Sequence, residues 1–315
     1  MGVEQTHTMY SVKLDTDDMS SAVSLGGITQ QRISTETLTR GIPTSGDVFN
    51  RFLSIIGQNP GAAFSTMECG TALDNIALLG LKIAATTDTG VTLYAQKNAE
   101  GSTRATGGSH KSYNFQEGII IPLSMRADHQ GDCVIDYGLL ASYDGTNNPI
   151  VISESVSLPT ASTDAQRYTI GPVTLAGVSI EDYTSIEVDF GINARAIGAE
   201  SDIWPTFAYI PTINPKITIR GINVGWLKTT GAIPLLGATC THANTKVYWR
   251  ARVDGGTTAT DVTASHIKMT AAGIAYVDDA FDASADDDAE TSIMLDMTYD
   301  GTNNPIVITT GSTIT

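Results

Sequence analysis

Tyr143–Ile152 reads YDGTNNPIVI, and Tyr299–Ile308 reads the same ten residues 156 positions later. An identity of that length in a chain of 315 residues points to an internal duplication. The match continues outward. VSLGGI (Val23–Ile28) pairs with VTLAGV (Val173–Val178), and Asp47, Phe49, Phe52 and the Asn59-Pro60 step pair with Asp202, Trp204, Phe207 and Asn214-Pro215. IALLG (Ile76–Gly80) pairs with IPLLG (Ile233–Gly237), EGSTRAT (Glu100–Thr106) with DGGTTAT (Asp254–Thr260), and Ser109-His110 with Ser265-His266. The expected organisation is a first domain over 1–157, a short linker over 158–167 (LPTASTDAQR) and a second domain over 168–315.

The fold class follows from local patterning. CVIDYGLLASY (Cys133–Tyr143), SIEVDFGINARAI (Ser185–Ile197), KITIRGINVGWL (Lys216–Leu227) and KVYWRARV (Lys246–Val253) alternate as strands do. Asp144-Gly145 and Asp300-Gly301 are turn signals, and PIVI after each Asn-Asn step is a short apolar strand. The pattern predicts a mainly β protein of two tandem homologous sandwich- or barrel-like domains, each with room for one short helix, over Gly70–Gly80 in the first. The counterpart of that helix contains Pro234, which disfavours a helix there.

Charge narrows the function classes. The net charge is −16, and both halves share it: residues 1–157 hold 9 basic and 16 acidic residues, residues 158–315 hold 9 and 18. A chain without a basic pole is expected to repel nucleic acid rather than grip it, which suits a surface past which DNA slides. Three cysteines (Cys69, Cys133, Cys240) without paired spacing argue against a disulfide framework. The start MGVEQTHTMY lacks the basic and apolar regions of a signal peptide, so synthesis in the cytoplasm is the expectation.

Catalytic motifs are missing: there is no Walker A loop, HExxH, CxxC or GxSxG. Of the five histidines only His110 and His266 recur between the halves, and both read as loop residues. Asp128, His129 and Asp132 form a cluster that the second half does not repeat with a histidine. The acidic run holding Asp286, Asp287 and Asp288 has oxygen donors for Ca²⁺ but lacks the EF-hand order, so a solvated loop is the plainer reading. No enzyme activity and no cofactor are expected.

Two long polar segments, Gln96–Ser112 and Arg250–Lys268, lie between apolar strands and read as surface loops or as arms that reach a neighbour. With these arms, the β pattern, the repeated YDGTNNPIVI and the acidic charge, the chain resembles a tailed-phage tail tube protein in duplicated form. The resemblance implies trimeric, pseudo-hexameric rings that stack into a hollow tube with an acidic lumen. It implies a virion location after assembly in the host cytoplasm, and partners limited to itself and other virion proteins, with DNA as a passenger and no membrane. It makes Lys97, Arg104, His110, Lys111, Arg252, Asp254, His266 and Lys268 candidates for contacts between subunits. A double jelly-roll capsid protein and a secreted-type pair of carbohydrate-binding or adhesin modules stay open as alternatives.

Overall fold

The computed structural model describes residues 6–15, 22–43, 45, 48–84, 90–99, 105, 107–160, 166–175, 177–199, 202–222, 240–253, 257–283 and 289–315. The protein is mainly β. The first half contains β1 (His7–Asp15), β2 (Val23–Leu25), β3 (Ile28–Ser34), β4 (Thr37–Pro43), β5 (Asn50–Gln58), β6 (Gly61–Thr66), helix α1 (Cys69–Asn75), β7 (Leu81–Ala84), β8 (Gly90–Lys97), β9 (His110–Phe115), β10 (Glu117–Asp128), β11 (Val134–Ser142) and β12 (Ile150–Val156). The second contains β13 (Tyr168–Leu175), β14 (Val178–Ile180), β15 (Tyr183–Asp189), β16 (Ile192–Ile197), β17 (Phe207–Ile213), β18 (Lys216–Gly221), β19 (Cys240–Ala251), β20 (His266–Asp282), β21 (Glu290–Met297) and β22 (Ile306–Ser312).

Alternation decides which face of each strand is buried. In β11, Ile135, Tyr137, Leu139 and Ala141 are buried, while Asp136, Gly138 and Leu140 between them are not. Phe64 of β6 stacks on Tyr137 at a centroid separation of 5.2 Å. β10 is equally apolar, and its Pro122 sits at a register shift, where the missing N–H breaks no regular ladder. One hydrophobic cluster runs through both halves, from Val12, Phe64 and Tyr137 to Trp249, Ile293 and Leu295.

The strands form a five-stranded sheet in the order β12-β9-β8-β1-β2 and a thirteen-stranded sheet. The main path of the larger sheet is β14-β13-β19-β20-β21-β18-β15-β10-β11-β6-β3, with β22 on β20 and β7 on β10. Two hairpins, β4–β5 and β16–β17, stand apart as separate two-stranded units.

The pairings of the first half recur in the second. Val12↔Leu25 in β1–β2 is matched by Val173↔Ile180 in β13–β14. Leu93↔Tyr113 is matched by Val247↔Met269, and Ile152↔Tyr113 by Ile308↔Met269. Ser34↔Gly61 is matched by Asp189↔Lys216, and Ile42↔Phe52 by Ile197↔Phe207. The long strand β20 does the work that β9 and β10 share in the first half: its start pairs with β19 and β22, and its remainder with β21.

Several sequence expectations are corrected. Val23–Leu25 corresponds in its pairing to Val178–Ile180, not to the similar-looking Val173–Leu175. The helix covers Cys69–Asn75 rather than Gly70–Gly80. Ser185–Ile197 is not one strand but two, divided at Gly191, whose N–H donates to the Asp189 carboxylate at 2.8 Å. The counterpart of the helix at 232–237 and part of the expected linker lie outside the described residues.

Close strand approach fixes particular glycines. Gly118 has φ +140°, and a Cβ there would collide with the carbonyl oxygen of Leu140 across the ladder. Gly145, also at positive φ, faces open space. Gly118→Ala is therefore expected to cost about 3 kcal/mol or more, against about 1 kcal/mol of backbone strain for Gly145→Ala, read from denaturant midpoints.

Candidate functional site

A sheet surface with two open edges is the most distinctive feature. The halves are joined where β10 of the first pairs antiparallel with β15 of the second, from Ser124↔Asp189 to Asp128↔Ser185. That joint makes one eight-strand run, β20-β21-β18-β15-β10-β11-β6-β3. At one end β3, the counterpart of β15, pairs only with β6 among the described strands. At the other, the second part of β20, the counterpart of β10, reaches β19 only up to Ala275 and leaves the edge beyond it without a strand among the described residues. A shallow cavity of about 260 Å³ opens beside β3, lined by Arg32, Ser34, Glu36, Gly61, Ala63 and Leu140 among others.

The joint is reinforced at the β10–β11 turn. Arg252 pairs with Asp132 (Nε to Oδ1, 2.8 Å) and donates from Nη2 to the carbonyls of Gln130 and Gly131 at 3.2 and 3.0 Å. The His129 N–H donates to the Thr184 carbonyl at 2.6 Å, and the Cys133 N–H to the Tyr168 carbonyl at 2.7 Å.

One face of the eight-strand run is apolar and buried, and the other carries most of its polar side chains. Register places three rows on the polar face. The first is Gln30, Ser65, Asp136, Ser124, Asp189, Lys216, Asp296 and Ile274. The second is Arg126, Glu187, Thr218, Met294 and Tyr276, and the third Asp128, Ser185, Arg220, Ser292 and Asp279. Across these rows the six carboxylates outnumber the three cations, so the face carries the acidic sign of the whole chain. Lys216 and Asp296 pair at 3.4 Å and Arg126 and Asp136 at 3.9 Å, while Ser124 Oγ donates to Asp136 Oδ2 at 2.8 Å.

The hairpins flank this surface. β16–β17 lies against β10 and β11 of the other half. Trp204 stacks on Tyr143 with centroids 5.5 Å apart and donates from Nε1 to Gln58 Oε1 at 2.9 Å, and the Tyr143 N–H donates to the Pro205 carbonyl at 2.7 Å. On β4–β5 the corresponding apolar residues are bare: Phe49 is 81% exposed and Ile55 58%.

The candidate arm residues fall in different places. His110 and His266 are buried in β9 and β20 rather than in loops. His110 Nδ1 accepts the Lys97 N–H and His266 Nδ1 the Ala251 N–H, each at 3.0 Å. His266 Nε2 lies 3.0 Å from the Thr260 carbonyl; with Nδ1 accepting, Nε2 carries the proton and donates. Each ring thus closes the neck of a polar segment, where the Ala105 N–H donates to the Lys97 carbonyl at 2.9 Å and the Ala259 N–H to the Ala251 carbonyl at 2.8 Å. Lys111 pairs with Glu154 across the β9–β12 ladder at 2.8 Å, and Lys268 lies in β20 between Tyr248 and Thr309. Arg252 serves the joint between the halves. Arg104, Asp254, Asp286, Asp287 and Asp288 lie outside the described residues. The sequence did not single out β3, β10, β15 or the hairpins as a site; the Phe49–Trp204 and Phe52–Phe207 correspondences pointed to the hairpins only as matched positions.

The identical turns share one mechanism. Asp144 accepts the N–H groups of Thr146 and Asn147 and the Asn147 amide, and Asp300 accepts the same three donors from Thr302 and Asn303 at 2.7–2.8 Å. Burial pushes the Asp144 carboxyl up, but these hydrogen bonds outweigh it and hold it below its ordinary value; at Asp300 the bonds from Asn303 lead in the same direction.

Neither a protein-family model nor a curated protein matches the chain.

Two side chains give tests. Replacing His266 by Ala strands the Ala251 N–H and the Thr260 carbonyl. The expected cost is about 2 kcal/mol, with faster amide exchange at Ala251. Glu68 is buried, and among the described residues neither of its oxygens has a well-aligned hydrogen bond. Burial raises its carboxyl above the ordinary value, and the Gly26 backbone and the Arg167 charge offset this only in part. A raised acid stabilises the fold most below its unfolded value and loses that contribution as pH rises through the folded one. Glu68→Gln should therefore raise the melting temperature near pH 8, with the gain shrinking towards about pH 4.

Proposed function

We propose that the chain is a structural subunit that assembles with itself head to tail, and that its assembly is a tail tube of the tailed-phage kind. The observation that carries this is the β10–β15 joint together with its two counterparts, which are unfilled among the described residues. The joint pairs a β10-type edge with a β15-type edge. Each chain then offers one further edge of each type, the end of β20 and β3. Repeating the internal joint between chains would set Ser34 opposite Asp279 as Asp189 stands opposite Ser124. Such a contact is heterologous, and it closes into a ring when the rotation allows. Exposed edges of this length otherwise invite uncontrolled pairing, which closure removes.

The duplication enters this reading as its cause. A gene for one domain, repeated as 1–157 and 168–315 across a linker at 158–167, would turn a six-fold ring of single domains into a three-fold ring of double ones. Three chains would then enclose a barrel from their eight-strand runs. With the polar, carboxylate-rich face turned to the lumen, a DNA passenger would meet repulsion rather than adhesion. The apolar pairs Ile42↔Phe52 and Ile197↔Phe207 are exposed on both hairpins and suit contacts between stacked rings. On this reading the protein is not an enzyme, needs no cofactor, and has other virion proteins as its further partners.

Negative-stain electron microscopy of the purified chain at rising concentration is the test. Three-fold rings and hollow tubes are expected. Closed shells would replace the tube by a capsid role, and dispersed monomers at every concentration would overturn self-assembly.

A further inference from the structure

The strand edges are not the only unmatched surfaces: the two hairpins differ in what covers them. The β4–β5 and β16–β17 hairpins are built alike, with Thr37↔Gln58, Arg40↔Ser54 and Gly41↔Leu53 matched by Ile192↔Ile213, Arg195↔Tyr209 and Ala196↔Ala208. Their environments differ. The second hairpin rests on the first half of its own chain, with Trp204 on Tyr143, and Ile210 beside Ile121 next to Gly80. Among the described residues the first hairpin has no such seat, and its matching residues Phe49 and Ile55 are exposed. The surface that would match Tyr143 and Ile121 in the second half is uncovered at one end: Tyr299 is 64% exposed, while Tyr276 is partly buried beside Met294.

We propose that the β4–β5 hairpin docks on the second half of another copy of this chain, with Phe49 against Tyr299 and Ile55 over Tyr276. The proposal rests on the head-to-tail reading above and names its partner surface. The occupant is a second copy because the same contact, filled by the same hairpin type, already exists once inside the chain. The two bare surfaces are the two halves of that contact. Both carry rings and exposed apolar atoms, so their meeting removes exposed hydrophobic area and recreates an aromatic pair. A single chain leaves both surfaces open; a closed ring leaves neither.

The test mixes two single variants, Phe49→Cys and Tyr299→Cys, each in a Cys240→Ser background, and treats them with a short bismaleimide. Cys69 and Cys133 are buried and do not compete. A second mixture, Ser34→Cys with Asp279→Cys, reports the strand-edge joint by oxidation. Covalent dimers in both mixtures are expected. Dimers only in the edge mixture would overturn the hairpin docking while keeping head-to-tail assembly. Dimers in neither would overturn both. In parallel, Phe49→Ala should raise the concentration needed for assembly about tenfold or more, as loss of a buried interface aromatic does. The same variant should leave the melting temperature of the single chain unchanged, because Phe49 is exposed there; an unchanged assembly threshold would overturn the proposal.

Discussion

The antiparallel pairing of Ser124–Asp128 with Ser185–Asp189 sets the rest of the architecture. It fuses the four strands β3, β6, β11 and β10 with the four strands β15, β18, β21 and β20 into one surface, and it lets one hydrophobic cluster extend through both halves. Backbone pairing of this kind is strong but unselective, since any edge presents the same N–H and C=O groups. Selectivity comes from what surrounds it. Arg252 grips Asp132 and the Gln130 and Gly131 carbonyls at one end of the joint. Trp204 stacks on Tyr143 beside it. Arg252 is three-quarters buried on forming that pair, so the guanidinium's several bonds matter: a single contact would not offset its desolvation.

Sequence carried the repeat well because the most constrained segment is local. Asp144 and Asp300 each hold three donors from the next three residues, so the DGTNN turn needs no distant partner and tolerates little change. The strand that follows is fixed by its ladder to β9 or β20. Where the halves differ in loop length, sequence similarity misleads. Eight positions separate Leu14 from Val23 in the first half, but only two separate Leu175 from Val178. The shortened loop brings VTL to a position where it imitates VSL, and only the pairing of Leu25 with Val12 and of Ile180 with Val173 resolves which is which.

The candidate site was less legible, for a physical reason. Alternation tells which face of a strand is buried but not which strand lies beside it. Nothing in ITQQRIS or TSIEVD distinguishes an open edge from a joined one, although one is β3 and the other lies in β15. The histidines were misplaced because a polar, glycine-rich neighbourhood suggests a loop. His110 and His266 stand at the first position of their strands, where a buried ring nitrogen can accept an N–H from the adjacent strand's end. The hairpins were hidden by their own hydrophobicity: Phe52, Leu53 and Ile55 look like core residues in sequence and are exposed in the fold.

That exposure differs between the two hairpins, and the difference separates two roles. Phe52 and Phe207 occupy matching positions and are exposed to nearly the same degree, 60% and 58%. In the proposed pseudo-six-fold ring, that likeness suits a contact along the ring axis, which would treat both halves alike. Trp204 and Phe49 also match, yet Trp204 is half-buried by the chain's own Tyr143 while Phe49 is bare. On the proposed head-to-tail assembly, Phe49 is covered from where the first half stands relative to the second, the place of a lateral neighbour. Two apolar surfaces on one hairpin are thus assigned different directions by comparing the halves. The chain acts as its own reference structure for that proposal: the half with its neighbour attached describes the contact proposed for the other half.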